Sequence, residues 1–127
     1  MEEQDKDIVF IEGQGSLANP GSTATLPLMR GTCPTHLVLC HIARMDMLHH
    51  APHIKRPPLR EFIQLNEALC RTCGSFPAAK TIGISLNTYR LTEVEALDEI
   101  ERLEDETGLP VTDVVRYGAE RLGKELL

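Results

Sequence analysis

The sequence contains no tryptophan, two tyrosines and three phenylalanines. Its core must therefore be built from aliphatic side chains, whose unbroken runs are the material of parallel sheets. It has no stretch approaching the ~20 consecutive apolar residues of a membrane span. Basic residues are outnumbered, 13 Lys and Arg against 19 Asp and Glu, for a formal net charge of −6. That balance leaves no basic footprint, so neither nucleic acid nor a membrane surface is expected as a partner. The opening MEEQDKD is acidic, unlike a secretory signal or an Arg-rich transit peptide, and a cytoplasmic location is expected. Cysteines stand only at positions 33, 40, 70 and 73. In an intracellular chain these are expected as free, buried thiols. No segment fits GxxxxGK followed by Ser or Thr, the loop that cradles nucleotide phosphates.

What is present suits one domain: 127 residues, 42% hydrophobic and 25% charged. The expected domain covers 1–127, with 1–6 disordered. Three apolar runs read as strands: Ile8–Ile11, Leu37–Cys40 and Thr81–Leu86. The first two lack polar alternation, the mark of strands covered on both faces. The third carries Gly83 and Ser85, which suit close helix packing. Pro57 and Pro58 open a helical pattern with Leu59, Phe62, Ile63 and Leu69. Thr92 and Glu95 form a capping box before the stripe Val94, Leu97, Ile100 and Leu103, which Gly108 and Pro110 terminate. A final helix is expected from about Tyr117, with Ala119, Leu122 and Leu126 inward. Residues 17–31 read as a loop turning into a helix, and 44–56 as a long connecting loop. Alternating strands and helices predict an α/β fold with a three-layer parallel sheet.

Candidate chemistry collects where strands end. In an open parallel sheet, ligands bind outside the carboxyl ends of the strands. Glu12 ends the first run, and Gly13-Gln14-Gly15-Ser16 follows, so a carboxylate for Mg²⁺ stands beside a loop that can offer N–H groups to an anion. A glutamate that only closes a strand before a turn is the plainer account. Asn87, after the third strand, suits a purine edge or substrate amide, or alternatively an Asx-turn. His41, after the second, suits acid/base work or substrate contact, or a half-buried hydrogen-bonded role. Cys70 and Cys73 form a single CxxC preceded by His49, His50 and His53. Structural zinc sites normally need a second matched pair, so zinc is not expected.

The runs IEGQGSL, LVLCH, PPLREFIQLNEAL, IGISLNT with LTEVEA, and ETGLPVTDVVRYGAERL, in that order, resemble the C-terminal P-loop domain of the D-glutamate N-acetyltransferase family. The resemblance spans about Asp7 to Leu127. The EGxG strand end and the later Asn are distantly similar to dethiobiotin synthetase. The resemblance implies the C-terminal half of a P-loop NTPase-like domain lacking the Walker A segment, expected to be a fragment, a split-gene half or a trimmed relative. It implies acetyl transfer from acetyl-CoA to the amino group of a D-amino acid, a small-molecule substrate, with His41 or Glu12 as general base. It assigns Glu12 to Mg²⁺ or phosphate and Asn87 to a base, with Gly13, Gln14, Gly15 and Ser16 lining the nucleotide or coenzyme. A bare sheet edge predicts a homo-oligomer or pairing with a separate N-terminal half. Two alternatives remain: a non-catalytic nucleotide-binding or interaction module, and a zinc-binding domain.

Overall fold

The computed structural model describes residues 7–22 and 24–126; the disorder expected for 1–6 lies outside them. A helix α1 (Thr25–Thr32) leads into strand β1 (His36–Ile42). A hairpin follows, of β2 (Met47–Leu48) and β3 (Ala51–Lys55), then α2 (Leu59–Arg71), β4 (Lys80–Asn87) and α3 (Glu93–Thr107). The chain closes with β5 (Val111–Thr112), α4 (Val114–Tyr117), α5 (Glu120–Gly123) and a 3₁₀ turn at Lys124–Leu126. β1, β4 and β5 form a parallel sheet in the order β1-β4-β5, so the expected α/β class holds.

β4 is the central strand and the most deeply covered. Ile84 and Leu86 are buried there, and with Leu59, Ile100, Leu103 and Val111 they make the main core. Leu39 packs against this cluster. In the parallel register Leu39 lies beside Ile84 and His41 beside Leu86, so His41 points to the face that α2 and α3 cover. On the other face Val38 and Cys40 lie beside Gly83 and Ser85. A Cβ on Gly83 would run into the Leu122 side chain and come 2.8 Å from the Pro110 carbonyl oxygen. Glycine there lets α5 close on β4. On the neighbouring β1, Val38 nevertheless remains 44% exposed. The unbroken apolar run predicts two covered faces for β1, but exposure alternates along it, so one face is covered.

Other expectations need correction. Ile8–Ile11 joins no strand, and its four side chains are exposed, Phe10 to 82%. Residues 44–56 are not a plain loop but carry the hairpin. α3 keeps its capping box: Thr92 accepts from Glu95 N–H, and the Glu95 carboxylate accepts from Thr92 N–H at 2.9 Å. The helix is rotated from the expected stripe, however. Ala96, Glu99, Ile100 and Leu103 are buried, whereas Val94 and Leu97 are exposed. The expected terminal helix is broken into α4, α5 and a 3₁₀ turn, with Leu122 buried but Ala119 exposed. All four cysteines are free, but only Cys70 is buried. No helix among the described residues is long and apolar enough to cross a membrane.

Candidate active site

Beyond the carboxyl end of β1 the chain opens a cavity of about 360 Å³. Its floor is His41. One wall is the hairpin and the turn into α2, with Asp46, Lys55, Arg56, Pro57 and Pro58; the opposite wall is α3, with Glu99, Arg102 and Glu106. Each wall has a local cause. The hairpin reverses the chain, and Arg56 N–H donates to the Asp46 carbonyl at 2.8 Å beyond its last paired residue. Two prolines then stiffen the backbone and start α2. On α3 the rotation that buries Ala96, Ile100 and Leu103 also turns Glu99 inward.

The electrostatics follow from this burial. His41 is half-buried, and the Arg56 guanidinium stands against its ring, with Nη1 3.1 Å from Nδ1 and 3.3 Å from Nε2. A guanidinium can only donate, so the ring nitrogen that accepts from it carries no proton. Burial first, and the Arg56 charge second, pull the imidazole down to about 4; Glu99 opposes them and Arg102 adds to them. At neutral pH His41 is therefore uncharged, and burial and the Arg56 charge together make it a weak base as it stands. Glu99, 6% exposed, is held below its usual range by hydrogen bonds from Arg102, Nε at 3.0 Å and Nη2 at 2.8 Å. Arg102 also reaches Glu106, and Arg44 is paired with Glu95 at 2.8 Å. Arg56 differs from both. Its other partner is the Ile42 carbonyl at 3.0 Å, and no carboxylate of the described residues lies within 4.0 Å of it. Burial lowers its proton affinity, and only the more distant Asp46 opposes that.

The remaining candidates sit elsewhere on the rim. Asn87 is the register partner of Ile42, one step from His41, and its backbone oxygen accepts from Ala43 N–H. Its side-chain oxygen accepts from Tyr89 N–H at 3.0 Å, the Asx-turn geometry, which leaves the amide NH₂ facing outward from an exposed residue. Beside it Asp113 is buried and tied to the Thr88 N–H and hydroxyl while capping α4 through Val115 and Arg116 N–H. Burial pushes its carboxyl up, but the Thr88 bonds and then the α4 N–H groups outweigh it and hold it below the usual range.

Glu12, Gly13, Gln14 and Gly15 form an exposed loop on the head of α1 and are not among the residues that line the His41 cavity. Thr25 donates to the Gln14 carbonyl, and Ser16 N–H donates to the Ser22 hydroxyl at 3.2 Å. Gly15 has φ +94°, and a Cβ there would collide with Ser22 and approach Thr25 Oγ1 to 3.0 Å, so the turn requires glycine. Among the described residues, no three His, Cys, Asp or Glu side chains are placed to hold a metal ion. A lone exposed carboxylate such as Glu12 fits only an ion that takes its remaining ligands from water and phosphate. His49 and His50 stack edge to face on the hairpin tip, and Cys73 is exposed while Cys70 packs with Met29 and Ala79. The sequence pointed to His41 but not to Arg56, Glu99 or Arg102.

A family model described as a domain of unknown function, the DUF1611 C-terminal P-loop domain, matches residues 1–123. A D-glutamate N-acetyltransferase of Tritonibacter scottomollicae is 36% identical over 114 residues, 89% of this chain and 34% of the relative. One from a Pseudoalteromonas species is 33% identical over the same length, with the same coverage. The chain thus spans about a third of the length of these curated relatives. The crystal structure of a DUF1611 family protein from Anabaena variabilis superposes with a TM-score of 0.93 at 49% identity, over 96% of this chain and 35% of that one.

Proposed function

The chain belongs to the DUF1611 family, as its C-terminal P-loop domain, and from that premise we propose that its His41 cavity receives the amino group in acetyl transfer to D-glutamate. The observation that carries the reading is an imidazole held neutral at the mouth of the sheet, in a cavity where Lys55 and Arg56 stand without a carboxylate partner among the described residues. The names of the relatives supply the reaction class. An ammonium must lose a proton before its nitrogen can attack, and His41, whose proton affinity burial and then Arg56 depress, is proposed to accept it as Arg56 turns away to the substrate. The amine nitrogen then bonds to the acetyl carbon of acetyl-CoA as the carbon–sulfur bond breaks; the nitrogen's second proton passes to the departing thiolate, and the coenzyme leaves as its free thiol. Among the described residues no Ser, Thr or Cys lines the cavity, which favours direct transfer over a covalent acetyl-enzyme. Glu12 and the loop from Gly13 to Ser16 are proposed to face the phosphates of the coenzyme or of a nucleotide, with Glu12 as the carboxylate toward Mg²⁺.

The test is acetylation of D-glutamate by the chain with acetyl-CoA, following thiol release and the mass of the product. Turnover is expected, and His41→Ala is expected to lower kcat by about 100-fold or more, the usual worth of a positioned base. D-Glutamate bound without turnover, or a His41→Ala variant as fast as the parent, overturns the catalytic role.

A further inference from the structure

We propose that Arg56 anchors the α-carboxylate of the amino-acid substrate, and that taking up this carboxylate uncovers the His41 ring nitrogen beside it. The inference rests on the reading of the cavity as an amino-acid site and names the group that recognises the substrate there.

The other two cavity arginines already have their counter-ions, Arg44 in Glu95 and Arg102 in Glu99 and Glu106. Arg56 is half-buried and hydrogen-bonded through Nη1 to neutral acceptors alone, the His41 ring and the Ile42 carbonyl. A guanidinium carries five donors in a planar fork, and its matched partner is a carboxylate taken bidentately. The side chain is well supported for that work. Its own N–H is tied back to Asp46, and Pro57 follows directly.

Position specifies which carboxylate. In an α-amino acid the amine and the α-carboxylate are joined through a single carbon. A carboxylate on Arg56 therefore delivers the amine to the imidazole that the same guanidinium touches at 3.1 Å. In the absence of substrate, Arg56 covers the lone pair that has to receive the proton. Turning the guanidinium toward a carboxylate exposes that lone pair when an amine has arrived, and not before. A side-chain carboxylate of the substrate then faces Lys55 on the hairpin, for which no ion pair is formed among the described residues.

The test compares D-glutamate, its α-amide D-isoglutamine and its side-chain amide D-glutamine. Binding is measured without acetyl-CoA by calorimetry and by the His41 ring resonances. Removing the α-carboxylate is expected to weaken binding to the chain on the order of 30-fold, the scale of a lost charge-assisted pair. Arg56→Gln is expected to weaken D-glutamate by the same factor and to abolish the preference over D-isoglutamine, while any preference over D-glutamine persists. Arg56→Lys, which keeps the charge but not the fork, is expected to fall between. Equal affinity of the chain for D-glutamate and D-isoglutamine overturns the proposal, and that comparison decides even if Arg56→Gln fails to fold. Because binding is read without turnover, the two readings separate. Discrimination without acetyl transfer leaves the anchor standing and removes the catalytic role. Acetyl transfer with equal kcat/KM for both ligands does the reverse.

Discussion

Lowering the pH from 7.5 to 4.5 tests the burial of His41 directly through stability. The folded imidazole titrates near 4 against an ordinary 6.5, chiefly because it is buried and then because Arg56 faces it. A group whose affinity for protons is depressed on folding stabilises the native state above its unfolded value. That contribution is lost as pH falls through the window between the two values, here from about 6.5 to about 4. Each tenfold in proton affinity is worth about 1.4 kcal/mol, so at pH 4.5 the loss is at most about 2.5 kcal/mol. The cavity is open to solvent, and screening brings the expected figure to about 1 to 1.5 kcal/mol. Urea unfolding of the chain and of His41→Gln, which keeps an acceptor for Arg56, isolates this contribution. Glu99 and Arg102 face His41 in both proteins, so their own titration largely cancels. The parent is expected to lose about 1 to 1.5 kcal/mol more than the variant between pH 7.5 and 4.5. A stability gap that stays constant over that range would refute the burial argument, as would a His41 resonance titrating near 6.5.

Three further outcomes follow from the packing. Leu103→Ala opens a cavity in the main core, where Leu103 is fully buried, and should cost about 3 kcal/mol in urea unfolding. Gly83→Ala places a methyl group against Leu122 and the Pro110 carbonyl and should cost about 2 kcal/mol, with lost protection of the α5 amides in hydrogen exchange. Asp113→Asn loses a carboxylate held ionised by Thr88 and the α4 N–H groups. Its destabilisation, followed by thermal unfolding, should be largest at neutral pH and shrink as pH falls below about 4, where the unfolded chain's Asp113 takes up a proton while the folded carboxylate is still ionised.

The elements legible in the sequence were those whose local chemistry and burial agree. Thr92 and Glu95 announce α3, the prolines announce α2, and the β-branched run at Thr81–Leu86 announces β4. The rotation of α3 was not legible, because Ala96, Ile100 and Leu103 share helical spacing as well as Val94, Leu97 and Ile100 do. Ile100 and Leu103 belong to both stripes, and only the choice of Ala96 over Val94 and Leu97 turns Glu99 inward. Ile8–Ile11 misled in another way: an apolar run shows what a segment needs to have covered, not what covers it. The hairpin was hidden because Pro52 and the histidines around it break any two-residue alternation. His41 was visible as the residue closing a strand. Arg56 was not, since an arginine before two prolines reads as solvent-exposed, and only the hairpin's reversal carries it back to β1.

The sheet's pairing also sets an order of assembly. β4 meets β5 through pairs such as Ile84 with Val111, across a compact crossover formed by α3. It meets β1 through pairs such as His36 with Lys80, across a longer one that includes the hairpin and α2. The longer loop costs only a few tenths of a kcal/mol more chain entropy, about 0.4, but it also carries the hairpin and α2, so β1 should reach its final place only when that whole segment is ordered. The cavity needs β1, the hairpin and α3 at once. A partly folded chain can therefore hold much of its core while the His41 cavity is still missing, and any ligand of that cavity selects for the last docking step.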